Sequence, residues 1–218
     1  MTFDMHARKP ENIMKQLIHP VYSLLALFSL GILAGGCVMN HSMTVHVKPP
    51  VGNGPVSSAK PVTVLIQVED QRPPAERDSV FQIVADVGGT DRWNTKKAVP
   101  LIVQDAVASE FSKCGHRVVA DASSSTDVRV KVALKRFRAF LSTSVLTHSV
   151  EAQVDAEVVV ANEARKATLP PFRISGNYQR KSGFGTVGAP AADEALREAL
   201  ADFIHNLTFD PRLVEAMQ

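Results

Sequence analysis

Between Val150 and Val160 every second residue is apolar: Val150, Ala152, Val154, Ala156, Val158 and Val160 alternate with Glu151, Gln153, Asp155 and Glu157. A period of two places successive side chains on opposite faces of a strand, so the stretch has one face for a core and one for water. A helix would scatter the same apolar residues around its circumference. A second run precedes it, with Val128, Val130, Val132 and Leu134 inward and Arg129, Lys131 and Lys135 outward. Its phase slips near Arg136, where Phe137 takes over the apolar position, which predicts a bulge. A turn around Leu141–Thr147 makes the two runs a hairpin, and opposite charges facing each other across it contribute about 0.2–1 kcal/mol per pair.

The remaining elements gather around that hairpin. Val62, Val64, Ile66 and Val68 alternate with Thr63, Leu65 and Gln67, a strand that ends at Glu69-Asp-Gln-Arg-Pro-Pro74. A short strand is predicted at Val80–Val84, before the turn residues Gly88 and Gly89. From about Thr95 to Cys114, Val99, Ile102, Val103, Ala106, Val107 and Phe111 fall on one helical stripe. Pro100 places the start of the regular helix near Val99, and Gly115 is its natural C-terminal cap before Arg117-Val-Val119. Phe172, Ile174 and Tyr178 mark a last strand, and a glycine-rich loop spans Lys181 to Pro190. The final helix buries Ala192, Ala195, Leu196, Ala199, Leu200, Phe203, Ile204 and Leu207, with Pro211 closing it. This order predicts an α+β fold: a mostly antiparallel sheet of roughly five strands with two helices on one face.

Before this domain lies an address. Val21 to Ala34 is apolar without a charge. As a helix its residues span roughly 21 Å, short of the roughly 30 Å hydrocarbon core, so a signal-peptide core fits better than a membrane span. Lys15 supplies the positive flank. Leu33-Ala-Gly-Gly-Cys37 then resembles the lipobox read by prolipoprotein diacylglyceryl transferase and signal peptidase II. Ala34 stands where Leu is usual, while Gly35 and Gly36 supply the small residues that the peptidase needs. The expectation is cleavage between Gly36 and Cys37, with diacylglycerol attached to the Cys37 thiol. Residues 1–36 are then the signal peptide, with Met14 an alternative start, and 37–60 the lipidated cysteine and a flexible tether. Residues 61–218 form the periplasmic domain. A short alternating patch at Met43-Thr-Val-His-Val47 leaves room for an edge strand within the tether. As a flexible coil that tether would span roughly 26 Å. Val38, in place of an Asp after the cysteine, favours the outer over the inner membrane.

Removing the first 36 residues takes away Arg8, Lys9 and Lys15, and Asp4 and Glu11, leaving 21 basic and 20 acidic side chains. That balance argues against nucleic acid, which calls for a basic excess on one face. No Gly-x-Ser-x-Gly elbow is present, and His41, His46, His116, His148 and His205 share no scaffold for a catalytic triad. Neither HExxH nor CxxC occurs, so no metal site and no cofactor is expected. Gly183-Phe-Gly-Thr-Val-Gly188 lacks the Lys-Ser/Thr of a phosphate-binding loop. Cys114 reads as a half-buried thiol, with activation by Lys113, His116 and Arg117 as the other possibility. Partner-contact candidates are Arg136 and Arg138, which lie near the hairpin turn beyond the reach of the acidic strand, and Phe184 in the glycine-rich loop.

The lipobox, the Pro-rich tether, a Val-rich first strand ending in Asp70-Gln-Arg72, a helix ending in Gly115-His-Arg-Val, the alternating strands and the Ala/Leu-rich last helix come in one order. Together they resemble the YajG-type lipoproteins of Gram-negative bacteria. That resemblance implies an outer-membrane lipoprotein of poorly defined role, with no catalytic residues to carry over. The reading of the whole chain is a non-enzymatic lipoprotein whose sheet or loop surface binds another envelope protein or lipid. More distantly the architecture is similar to the auxiliary lipoproteins of lipid-transporting ABC systems, a likeness of fold alone.

Overall fold

In the computed structural model, the described residues are 38–49, 51–84, 90–121, 125–143, 148–182 and 188–218. In chain order these form β1 (Val38–Met43), β2 (Thr63–Asp70), α1 (Pro74–Arg77), β3 (Phe81–Val84), β4 (Thr90–Thr95) and α2 (Val99–Lys113). β5 (Arg117–Val119), β6 (Val128–Thr143), β7 (His148–Asn162), β8 (Ala167–Thr168), β9 (Phe172–Ser182), α3 (Ala189–Thr208) and α4 (Pro211–Met217) follow. The expected α+β class holds, but the sheet is larger and mixed, with nine strands among the described residues.

The two alternating runs are the spine of this sheet. β6 pairs antiparallel with β7 along its whole length, and the register shifts between Leu134 and Arg136, where the sequence predicts a bulge. On its other side β6 serves two different neighbours. Its first half runs parallel to β2, from Val64↔Val128 to Asp70↔Leu134, and its second half parallel to β3, from Phe81↔Ala139 to Val84↔Ser142. The sheet therefore forks at the bulge, with β5 beyond β2 and β4 and then β1 beyond β3. The mostly antiparallel expectation fails here because alternation identifies a strand but not its partner. The long excursion between β2 and β6, with α2 inside it, is the kind of crossover that parallel pairing needs.

One face of the sheet is dry. Val128, Val130, Val132, Leu134, Phe137, Ala139 and Leu141 of β6 and Val150, Ala152, Val154, Ala156, Val158 and Val160 of β7 are buried in one core, with α3 over β6, β7 and β9 and α2 over β2 and β5. α2 begins at Val99, as its proline requires, and ends in a Schellman motif: the Gly115 N–H donates to Ser112 O (3.1 Å) and the His116 N–H to Phe111 O (3.1 Å). Gly115 has φ +92°, a conformation that a side chain resists, so glycine is needed at this cap. Asp210, bonded to the Arg212 N–H, caps α4. The opposite face of the sheet is open to solvent and carries the charged residues of β6 and β7 and Arg173 and Lys181 of β9, while Arg180 turns to Glu194 on α3.

The segment from Val38 to Lys60, expected as a tether, is mostly folded onto the domain. β1 runs parallel to β4, and Met43, Val45 and Val56 are buried in the main core. Residues beyond β1 form a strap that crosses the outer side of the helices. Its polar and Pro-rich sequence looks like a linker because most of its hold comes from hydrogen bonds and only a few apolar side chains. β4 shows no apolar alternation either, since Trp93 is its one large apolar residue.

Candidate functional site

The fork brings together the charged residues that the sequence offers for binding. β2 ends at Asp70, and the Gln71 N–H donates to Leu134 O (2.9 Å) just before the bulge. Arg72 then folds back: its Nε donates to Asp70 Oδ1 (2.9 Å), its Nη2 to Asp70 Oδ2 (2.8 Å) and its Nη1 to Glu76 O (3.0 Å). With 3% of its side chain exposed, Arg72 is a structural lock, and Asp70 is its counter-charge. The guanidinium holds the Asp70 carboxyl below the usual carboxylate range, despite the opposing effect of burial. The same fork geometry recurs at Asp210-Pro-Arg212, where Arg212 Nε and Nη2 donate to Asp210 and lower its pKa likewise. The Asp70-Gln-Arg72 signature thus fixes the split in the sheet.

Arg136 and Arg138 lie on the open face beside that lock, and neither is free of acidic partners as the sequence reading expects. Arg136 Nη1 donates to Gln153 Oε1 (2.9 Å) and lies 3.5 Å from Asp155 Oδ2. Arg138 Nη1 pairs with Glu76 Oε1 at 3.3 Å, and its guanidinium sits 4.5 Å above the Phe140 ring. The bulge explains the error, because it re-aims these side chains toward α1 and the middle of β7. Across the cross-strand register Arg138, Gln153 and Asn177 form one row, and Phe140, Glu151 and Gln179 the next. These six residues border a shallow hollow. A second hollow lies on the other side of the Lys135–Glu157 pair, between Glu69, Gln71, Lys131 and Val159. Three solvent-shielded polar atoms around the fork, Glu76 Oε2, Arg138 Nε and Asp155 Oδ1, have no hydrogen-bond partner among the described residues. Glu76 and Phe140 were not legible as partners of Arg138, since α1 is a single turn with no apolar pattern. Cys37, Gly36 and Phe184 lie outside the described residues.

A second concave surface lies under the strap, on the helix side. The buried Glu110 carboxylate accepts the backbone N–H groups of Val51 (2.9 Å) and Gly52 (2.8 Å). His46 meets Asp193 at 2.7 Å, and Lys48 pairs with Glu198. Further on, His116 Nε2 donates to Val56 O (3.0 Å), and its Nδ1 accepts the Val62 N–H at 3.4 Å. Glu110 is the residue that sequence reasoning missed. It follows Ala106 and Val107 on the apolar stripe of α2, and a lone acid there signals a buried bond. The strap and helices enclose a cavity of about 80 Å³ lined by Val47, Val51, Leu200, Ile204 and Phe209. Cys114 is buried nearby. Desolvation raises its thiol pKa, Glu110 adds to the rise, and the Gly54 N–H opposes it, so the structural reading of this thiol holds and the activated one does not.

These features define a class: an α+β domain with one helix-covered and one open sheet face, in which no helix among the described residues is long and apolar enough to cross a membrane. The chain belongs to the YajG family of uncharacterized lipoproteins, whose sequence pattern matches residues 49–218. As a member of that family it is a lipoprotein of the cell envelope. No curated protein matches it significantly. Among solved structures it is similar to a protein from Xanthomonas campestris, with 14% identity, 78% of this chain and 92% of that one covered, and a TM-score of 0.49. It is also similar to a candidate lipoprotein from Caulobacter crescentus, at 9% identity, 74% and 90% coverage and a TM-score of 0.40. A third is the lipoprotein GNA1162 from Neisseria meningitidis, at 10% identity, 62% and 92% coverage and a TM-score of 0.33.

Proposed function

We propose that this chain is a non-enzymatic lipoprotein, cleaved between Gly36 and Cys37 and anchored by the Cys37 lipid at the periplasmic face of the outer membrane, whose open sheet face binds another envelope component. The observation that carries the binding assignment is the cluster at the fork. Glu76, Arg138 and Asp155 each hold a shielded polar atom with hydrogen-bonding capacity to spare, beside a guanidinium stacked on Phe140. Arginine and aromatic residues are enriched at protein interfaces, and buried polar atoms usually find partners. The existing ion pairs of Arg136 and Arg138 are partly exposed and worth at most about 1 kcal/mol each, so they can open to a partner that offers N–H donors to Glu76 and Asp155 and an acceptor to Arg138. A photo-crosslinking residue in place of Gln153 should give discrete adducts in intact cells, while the same residue at exposed Leu101 on the helix side should not. Absence of adducts at 153 refutes this face as the binding surface. Cys37→Ala should release the protein to the soluble periplasm, and its retention in the membrane fraction refutes the anchor.

One observation speaks to the alternative, an auxiliary subunit of a lipid-transporting ABC system: Val47, Val51, Leu200, Ile204 and Phe209 make part of the strap cavity's lining apolar. Its volume of about 80 Å³ is smaller than the roughly 150 Å³ that admits benzene, so an acyl chain would require the strap to leave. Co-purification of phospholipid with the delipidated Cys37→Ala protein would favour that second role.

A further inference from the structure

The lipid anchor at Cys37, taken from the reading above, sets the orientation of the domain on the bilayer. We infer that the end of the sheet where β1, β4 and β7 begin and β3, β6 and β9 end rests directly on the phospholipid surface. The register lines these strand ends up. Val38 pairs with Thr90, Thr90 with Val84, and Val84 with Ser142; across the hairpin Thr143 pairs with His148, and His148 with Ser182. Six strands side by side make this row roughly 24 Å wide at about 4.8 Å per strand. Val38 follows Cys37 directly, and one residue reaches at most about 3.5 Å. No slack separates the lipidated residue from the ladder, so insertion of its acyl chains brings this row to the headgroups.

The strap cannot serve as a spacer, because it comes after β1 and is pinned. His46, Lys48, Val51, Gly52 and Val56 are each held to α2, α3 or the core. The described surface at this end offers cations to phosphate headgroups: Lys181 and Arg92 are exposed within two residues of the row and His148 stands in it, against one acid, Asp91, while Arg180 is already paired with Glu194. The opposite end of the sheet, where Asn162 pairs with Val128, stands roughly 46 Å away along β7.

The test uses the full-length lipidated protein reconstituted in phosphatidylcholine vesicles that contain a headgroup spin label. A fluorophore is attached at Ser142→Cys, Lys181→Cys or Lys166→Cys, one at a time; all three positions are exposed, so folding is not at risk. The expected result is loss of fluorescence at 142 and 181 and none at 166. Full fluorescence at all three positions, or quenching at 166, overturns the orientation. The mass of the purified protein separates the two readings. Absence of the diacylglyceryl thioether refutes the anchor and the orientation with it, whereas a lipidated protein without quenching at 142 and 181 refutes the orientation alone.

Discussion

Replacing Gly176 with alanine tests how closely α3 lies on the sheet. Along β9, Phe172, Ile174, Gly176 and Tyr178 face the helices, and the glycine is where the helix comes nearest. A Cβ built at 176 would lie 2.1 Å from Ala199 O, 2.3 Å from Phe203 N and 2.6 Å from Phe203 Cβ. Two of these are backbone atoms, so no change of rotamer relieves the clash. To bring the 2.1 Å contact to the 3.4 Å at which ordinary contact begins, α3 must retreat by about 1.3 Å, and a gap of only about 0.5–1 Å already forfeits a quarter to a half of each affected dispersion contact. The fully buried side chains of Leu196, Leu200 and Phe203 would all lose contact. The retreat also loosens two bonds that cover the outer edge of β9: Asn177 N–H to Asp202 Oδ2 and Asn206 Nδ2 to Ser175 O, both 2.9 Å. Overpacking costs about 1–3 kcal/mol, often more where backbone must move, while the stiffer unfolded chain returns about 0.4–1 kcal/mol. The backbone clash puts this site at the upper end of that range, so the net expectation is a loss of about 2 kcal/mol. With a urea slope of about 1–3 kcal/mol/M, the unfolding midpoint falls by roughly 1–2 M. Circular dichroism during urea unfolding measures it, and a midpoint equal to or above that of the wild type refutes the close approach.

Glu110→Ala removes the acceptor for two strap amides. Each charge-assisted bond is worth about 1.5–3 kcal/mol, but Val51 is 65% exposed and its freed amide hydrates, so the strap should loosen by about 2–3 kcal/mol. The Val51 and Gly52 amides should then exchange with deuterium faster, and an unchanged exchange rate contradicts the pinned strap. Asp70→Asn leaves the Arg72 cation buried without its counter-charge, and the expected cost is about 3–5 kcal/mol in chemical denaturation. The same pair predicts acid sensitivity. Asp70 and Asp210 titrate lower in the folded than in the unfolded chain, so their stabilisation is present above the unfolded value, near about pH 4, and is lost as pH falls through the folded values. Wild-type stability should drop below about pH 4, and the Asp70→Asn protein should show a shallower decline there; a wild type equally stable on both sides of that pH would contradict the assignment.

Much of the domain was legible because its hairpin and helices obey simple periods. The alternation of Val150 to Val160, the slip at Arg136, the start of α2 at its proline and the glycine cap after Cys114 each follow from one local rule, and each is found in place. What was illegible is non-local. β1 and β4 are strands because a neighbour supplies a ladder, and their polar sequences carry no period. The parallel pairing of β2 with β6 depends on where the chain returns after α2, which alternation does not encode. For the same reason Arg136 and Arg138 looked free: their partners Asp155 and Glu76 come within reach only through the bulge and the fork. The strap was misread because its hold depends on single polar contacts, to Glu110 and His116, rather than on an apolar stripe.

The two faces of the sheet differ in how costly their polar contacts are to exchange, and this difference decides where a partner can bind. On the helix side Glu110, His116 and Asp210 are buried and hydrogen-bonded. Removing the partner of Glu110 or Asp210 strands a charge away from water, at several kcal/mol, so these contacts resist substitution. On the open side the pairs Arg136–Asp155, Arg138–Glu76 and Lys135–Glu157 span 3.3–3.6 Å and are partly hydrated. Each is worth no more than about 1 kcal/mol, so a partner from outside that supplies both a donor and an acceptor replaces one at little cost and gains the stacked Arg138–Phe140 unit. Binding on the helix side would first have to lift the strap off Glu110 and uncover Val56, and that energy would be subtracted from its affinity. The open face therefore offers the lower-cost surface, and the fork within it is where the exchangeable charges concentrate.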